Sequence, residues 1–256
     1  MLRTYFPEVV LFLHAFPLNK EMYRYQFCAF EEEGIPYVAL DYPGFGDAPN
    51  LPGEYTVERL TDYVVNELRK FRVKKVIPIG DSMGGYIMFD MWRRYREMIK
   101  GFVFVATRAE ADTEEGKKAR YALIEKVQKE GKEFLIEAML ENQTSPATKK
   151  DENKMRTLRC IMEKATREGI VKTLKALAER KDNTDLLPSI DVPTLVIAGK
   201  DDERVTPPEI VKKIAEGIKG AKYYELENSA HLPPFENPEK FNEVVIPFVK
   251  DLLKTP

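Results

Sequence analysis

Gly80-Asp81-Ser82-Met83-Gly84-Gly85 decides the fold, read with the apolar run Val76-Ile77-Pro78-Ile79 before it and the helical pattern Tyr86-Ile87-Met88-Phe89-Asp90-Met91-Trp92 after it. A serine flanked by glycines two residues away on each side, between a buried strand and a helix, is the arrangement that exposes a nucleophilic hydroxyl at a sheet edge. The glycines are needed because a Cβ close to so sharp a turn would clash. The five-letter pattern G-x-S-x-G alone arises by chance in about one chain in ten of this size. Its placement between strand and helix gives it meaning.

Working outward, short β-rich runs alternate with helical patterns. Val9–Leu13 reads as a buried strand, Glu21–Glu33 as a helix ended by Gly34, and Tyr37–Leu40 as a strand. Thr56 caps a helix running to about Lys70, with Glu58 and Arg59 in its first turn. Lys75–Ile79 is a strand, Met83–Arg96 a helix and Phe102–Ala106 a strand. Strands separated by helices of this length pair in parallel through right-handed crossovers. From Thr107 to about Asp182 the alternation stops. That stretch is rich in Lys, Glu, Ala and Leu at helical spacing and is broken near Asn142–Pro146. The rhythm then resumes with strand Thr194–Ala198, helix Pro208–Glu216, strand Lys222–Leu226 and helix Pro238–Leu253. The expected organisation is an α/β core in two parts, 1–106 and 183–256, with a helical cap or lid at 107–182. The expected sheet is doubly wound, mostly parallel and of about six strands.

The 256 residues suffice for one large α/β domain or a core with an insertion. A formal charge of −2 gives no electrostatic case for nucleic acid or an anionic membrane surface. No apolar stretch approaches the ~20 residues of a membrane span, and the run Val9–Leu13 is too short for a signal-peptide core with its cleavage region. A cytoplasmic protein is expected, with Cys28 and Cys160 as reduced thiols. Charged residues make up 32% of the chain, led by Lys and Glu, a composition that leans toward a heat-adapted, thermostable protein.

A serine nucleophile needs a base, and the base an orienting acid. The chain has two histidines. His231 follows the last strand and His14 ends the first, and loops after strand carboxyl ends share one face of a doubly wound sheet. The acid is expected after the penultimate strand, where Asp201, Asp202 and Glu203 all stand.

At this point the chain resembles the α/β-hydrolases along nearly its full length. His14-Ala15-Phe16-Pro17 resembles the family's H-G-x-P turn, and Asp41-Tyr42-Pro43-Gly44-Phe45-Gly46 its D-x-P-G-x-G loop. Gly80–Gly85 matches the nucleophile elbow, and Asn228-Ser229-Ala230-His231-Leu232-Pro233 the histidine loop. Gly199-Lys200-Asp201-Asp202 matches G-x-x-D, which selects Asp202. The resemblance implies Ser82 as nucleophile, His231 as base, Asp202 as orienting acid, and the backbone N–H groups of Phe16 and Met83 as oxyanion donors. It implies no metal and no organic cofactor. His14 would shape the oxyanion loop, while Asp41 and Asp47 would fix their own loop.

The chain departs from the family pattern in several places. Ala15 replaces a glycine, which restricts the oxyanion loop. Asp47-Ala48 stands where many relatives carry a serine. Asp81 precedes the nucleophile and adds a negative charge near the site. By the resemblance, β-rich sequence starts here at the family's third strand, and a sheet without the usual amino-terminal hairpin is expected.

Thr107-Arg108-Ala109-Glu110-Ala111-Asp112-Thr113, Asp191–Gly199 and Val205–Glu209 resemble the branch of carboxylesterases and 3-oxoadipate enol-lactonases. The expected reaction is hydrolysis of a small-molecule ester with a short acyl chain, by a monomer or homodimer. Enol-lactone hydrolysis is the alternative. Carbon–carbon bond hydrolysis, perhydrolysis and a ligand-receptor role rank behind it. Met139, Leu140 and the cap aromatics are read as core.

Overall fold

The computed structural model describes residues 6–254. Its centre is a sheet of six parallel strands: β1 (Glu8–Leu13), β2 (Tyr37–Leu40), β3 (Lys75–Asp81), β4 (Phe102–Val105), β5 (Thr194–Gly199) and β6 (Lys222–Leu226). Their spatial order is β2-β1-β3-β4-β5-β6. Every neighbouring pair is parallel, so the mostly parallel sheet expected from the crossovers is parallel throughout. Pro78, which has no N–H, sits between the isolated bridge Val76–Ile99 and the start of the β3–β4 ladder at Ile79–Val103. No pairing with β4 is interrupted there.

Period-two alternation divides the apolar residues between the faces. Val9, Leu11 and Leu13 of β1 join one core with Leu60, Val64 and Leu68 of α2 (Val57–Lys70) and with Ile87 and Met91 of α3 (Met83–Tyr95). Val10 and Phe12 join the opposite core with Phe30 of α1 (Arg24–Glu32) and with Phe241, Val245 and Val249 of α11 (Pro238–Lys254). Each such side chain, fully buried, contributes about 1.5–3 kcal/mol of transfer free energy. The first helix is shorter than its sequence pattern: Asn19 accepts from the Glu21 N–H and starts a 3-10 turn at Lys20–Tyr23, and the α-helix begins only at Arg24.

Between β4 and β5 lie α4 (Glu114–Glu130), α5 (Glu133–Gln143), α6 (Pro146–Lys149), α7 (Glu152–Glu163) and α8 (Arg167–Ala178). The break after α5 comes where Ser145 caps the short α6, its side chain accepting from Thr148 N–H. These helices feed both cores, through Leu135, Leu174 and Leu177 on one side and Ile136, Leu158 and Ile161 on the other. The remaining helices are α9 (Pro208–Gly217) and α10 (Pro233–Glu236). Cys28 and Cys160 are free and exposed. No helix among the described residues is long and apolar enough to cross a membrane.

Candidate active site

Strand order reverses between β1 and β3, and the crevice outside the carboxyl ends of such strands is where doubly wound sheets place ligands. Ser82 leaves β3 there with φ 50° and ψ −106°, a positive φ that non-glycine residues rarely adopt. The strain is held by the surroundings. Ser82 N–H donates to Val105 O at 2.9 Å, and Ser82 O accepts from Gly85 N–H at 2.9 Å and from the Thr107 hydroxyl at 2.7 Å. A Cβ on Gly84 would overlap the Leu13 carbonyl, so α3 can start this close to β1 only with glycine at that position. Met83 opens α3, and its N–H therefore has no acceptor within the helix.

The loops after β5 and β6 converge on the same crevice. Gly199 lies so close to Ala230 that a Cβ there would overlap the Ala230 carbonyl oxygen. Beyond it, Asp202 accepts from Val205 N–H (3.0 Å) and Thr206 N–H (3.1 Å), and its Oδ2 stands 2.7 Å from His231 Nδ1. Burial pushes the Asp202 carboxyl up, but the His231 charge and hydrogen bond and the two backbone N–H groups hold it below the usual range. Asp202 is thus an anionic acceptor for an Nδ1–H, and that tautomer leaves Nε2 as the basic nitrogen. His231 Nε2 is buried without a protein partner, and His231 and Ser82 share the wall of one cavity of about 460 Å3. Glu236 shapes the histidine loop by accepting from the Ala230, Leu232 and Ser145 N–H groups.

His14 is placed differently. Its Nδ1 lies 3.0 Å from Ala15 O and its Nε2 accepts from Tyr42 N–H at 3.1 Å. Burial lowers its pKa to about 4, so it is a neutral pin between two loops. Ala15 carries no positive φ, so the turn accommodates the missing glycine without strain. Asp41 accepts from the Lys20 and Asp47 N–H groups and pairs with the Lys20 ammonium, as does Asp47. Phe16 and Met83 both line the cavity beside Ser82. Among the described residues no group of three or more His, Cys, Asp or Glu side chains is placed to hold a metal ion.

A family model described as the alpha/beta hydrolase family matches residues 10–244, most of the chain. The chain is an alpha/beta hydrolase. A thermophilic esterase from Thermogutta terrifontis, solved with malate bound, superposes with a TM-score of 0.90 at 31% identity, covering 95% of this chain and 89% of that one. The enol-lactonase from Burkholderia xenovorans LB400 gives a TM-score of 0.87 at 23% identity, over 98% and 94% of the two chains, and bears on the fold alone. A pimeloyl-[acyl-carrier protein] methyl ester esterase from Neisseria meningitidis serogroup A is 28% identical over 227 residues, 86% of this chain and 70% of that protein.

Two features of this alpha/beta hydrolase escape the sequence. Asp81 sits where a negative charge beside Ser82 is disfavoured. It is fully buried, and both its carboxyl oxygens lack partners. Burial, then the charges of Asp202 and Glu236, push its pKa well above the usual carboxylate range, which favours the protonated, neutral form. A carboxyl with a raised folded pKa costs nothing below its unfolded pKa of about 3.9 and destabilises increasingly as pH rises toward the folded value. Asp81→Asn is therefore expected to raise Tm by about 3–6 °C at pH 8 and by almost nothing at pH 4. Thermal denaturation at both pH values checks this, and an equal shift at both would contradict it.

The second feature is the cavity wall. Met139, read as core, lines the cavity, while Leu140 is buried in the core. Gln143 at the end of α5 also lines it. Its Nε2 donates to Phe16 O at 2.8 Å, its carbonyl accepts from His231 N–H at 3.0 Å, and its Oε1 is buried and unpartnered. One residue of the inserted helices thus ties the His14–Pro17 turn to the histidine loop. Its only sequence signal was its position within the break near Asn142–Pro146.

Proposed function

We propose that this hydrolase cleaves carboxylic esters of short acyl chains through an acyl-enzyme on Ser82. The observation that carries the reading is the shared cavity wall: a strained serine at a strand–helix turn faces the same space as the unpartnered Nε2 of a histidine whose Nδ1 is held by a buried aspartate. His231 Nε2 takes the Ser82 proton as Oγ attacks the ester carbonyl, and Asp202 holds the tautomer and stabilises the imidazolium. The N–H groups of Met83 and Phe16 receive the oxyanion, each donor being worth a factor of ~10² to 10³ in turnover. The imidazolium returns its proton to the departing alcohol. Water, deprotonated by the same nitrogen, then releases the acid. In this reading α4, α5 and α8 act as a lid that keeps bulk water from the acyl-enzyme.

The similarity to two proteins named as esterases supports ester hydrolysis. The test is chemical. A serine-directed phosphonate is expected to add one mass adduct, located on Ser82 by peptide mapping, with loss of p-nitrophenyl ester hydrolysis in step with labelling. Full activity after complete labelling, or an adduct elsewhere, would rule the reading out. A parallel assay of an enol-lactone ranks the two substrate types.

A further inference from the structure

The chain is slightly acidic overall, yet its cavity is basic. Arg108, Arg120, Arg180 and Arg204 line it, and the single acidic side chain in its wall is Asp112. Four separate segments supply the arginines: the segment after β4, helix α4, the segment after α8 and the loop after β5. Arg204, the outermost, is paired with Glu141 at 3.1 Å. Asp112 pairs with Arg120 and Arg180 and Arg108 has no acidic partner, so the three guanidinium groups meet one carboxylate and two positive charges are left over.

Arg180 is the most deeply placed, its side chain 2% exposed. Its Nη1 donates to Asp112 at 2.5 Å and to Leu177 O at 2.9 Å, and its Nη2 to Glu110 O at 3.0 Å. Its Nε is buried without a partner. The guanidinium lies 4.4 Å from the centroid of Tyr86, one helical turn after Ser82 on α3. Asp112 is also claimed by Arg120 Nε. Burial raises the Asp112 carboxyl, but the two arginines bring it below the usual range, so the charge shared between them is a full one. Arg108 donates to Val205 O at 2.5 Å and enters no ion pair among the described residues. Buried guanidinium groups in excess of their counter-ions are costly to keep. A planar anion accepting two N–H bonds from such a fork relieves that cost.

We infer that the cavity takes esters that carry a second, free carboxylate: half-esters of short dicarboxylic acids, with the ester carbonyl at Ser82 and the free carboxylate on Arg180 and Arg108. The inference rests on the Ser82 reading for the reaction and on the arginines alone for the anion. In the reaction the acyl C–O bond breaks, the alcohol leaves with the proton from His231, and water completes hydrolysis to the dicarboxylate, releasing one proton at neutral pH.

The test compares mono-p-nitrophenyl adipate with p-nitrophenyl 6-methylheptanoate, whose isopropyl end matches a carboxylate in shape. Wild type is expected to favour the half-ester in kcat/KM by about 10-fold or more, mainly through KM. Arg180→Gln is expected to reduce that preference, the ratio of kcat/KM for the half-ester to that for the neutral ester, by about 10- to 100-fold. Arg180→Lys should restore part of it. Should Arg180→Gln fail to fold, the half-buried Arg108→Gln gives the same readout, and the wild-type preference stands by itself. Adipate binding by calorimetry separates the two readings. If neither ester is hydrolysed but wild type binds adipate and Arg108→Gln does not, the esterase reading fails and the carboxylate site stands. A wild type that prefers the neutral ester and binds no adipate overturns the inference.

Discussion

Ser82→Ala and His231→Ala are each expected to lower kcat on a p-nitrophenyl ester by about 10⁴- to 10⁶-fold, and the double variant to fall no further. The reason lies in the division of labour. In the proposed mechanism Ser82 Oγ is a poor nucleophile until a base removes its proton, and that base is His231 Nε2, which has no protein partner and lines the same cavity. Removing either group abolishes the same step, so the losses do not add. In that mechanism, what survives is turnover supported by the Met83 and Phe16 N–H groups and by binding, worth a factor of ~10³ over water. Neither substitution should unfold the protein. Ser82→Ala keeps a Cβ at the same positive φ, and the backbone bonds to Val105, Thr107 and Gly85 involve no side-chain atom of Ser82. Single-turnover kinetics on all three variants, with Tm as the control for folding, reads the outcome. Losses that multiply in the double variant would mean that the two residues serve separate steps.

Asp202→Asn is expected to cost about 10³- to 10⁴-fold in kcat, while Asp201→Asn and Glu203→Gln stay within about 3-fold of wild type. The carboxylate of Asp202 serves three donors: Val205 N–H, Thr206 N–H and His231 Nδ1–H. An amide offers one acceptor oxygen, so it must either abandon a loop N–H or turn its NH2 toward His231 and force the opposite tautomer. In both cases the negative charge that stabilises the imidazolium is gone. Asp201 and Glu203 are more exposed than Asp202, and neither has a hydrogen bond to His231. A drop in Asp201→Asn equal to that in Asp202→Asn would displace the assignment.

Much of this was readable in the chain. Strand and helix order follows from apolar spacing, a local property: the run Val9–Leu13 alternates between two cores because successive side chains on a strand point to opposite faces. The elbow at Ser82 and the loops bearing Asp202 and His231 were legible because turn chemistry is local too, and because parallel crossovers bring strand carboxyl ends to one face. The 3-10 start at Lys20 was missed, since the cap by Asn19 competes with a helical pattern that continues on both sides.

The sequence by itself determined the parallel α/β fold, the elbow and the three chemical groups after strands β3, β5 and β6, because each is encoded within a few consecutive residues. Only the tertiary structure decided the rest. It disfavours the charged form of Asp81, since no residue beside it in the chain shows that both its oxygens are sealed from water and near the charges of Asp202 and Glu236. It also gathered Arg108, Arg120, Arg180 and Gln143 around one cavity. These residues lie on helices and loops far apart in the chain, and their charge and hydrogen-bonding capacity gain meaning only when packing removes the water between them.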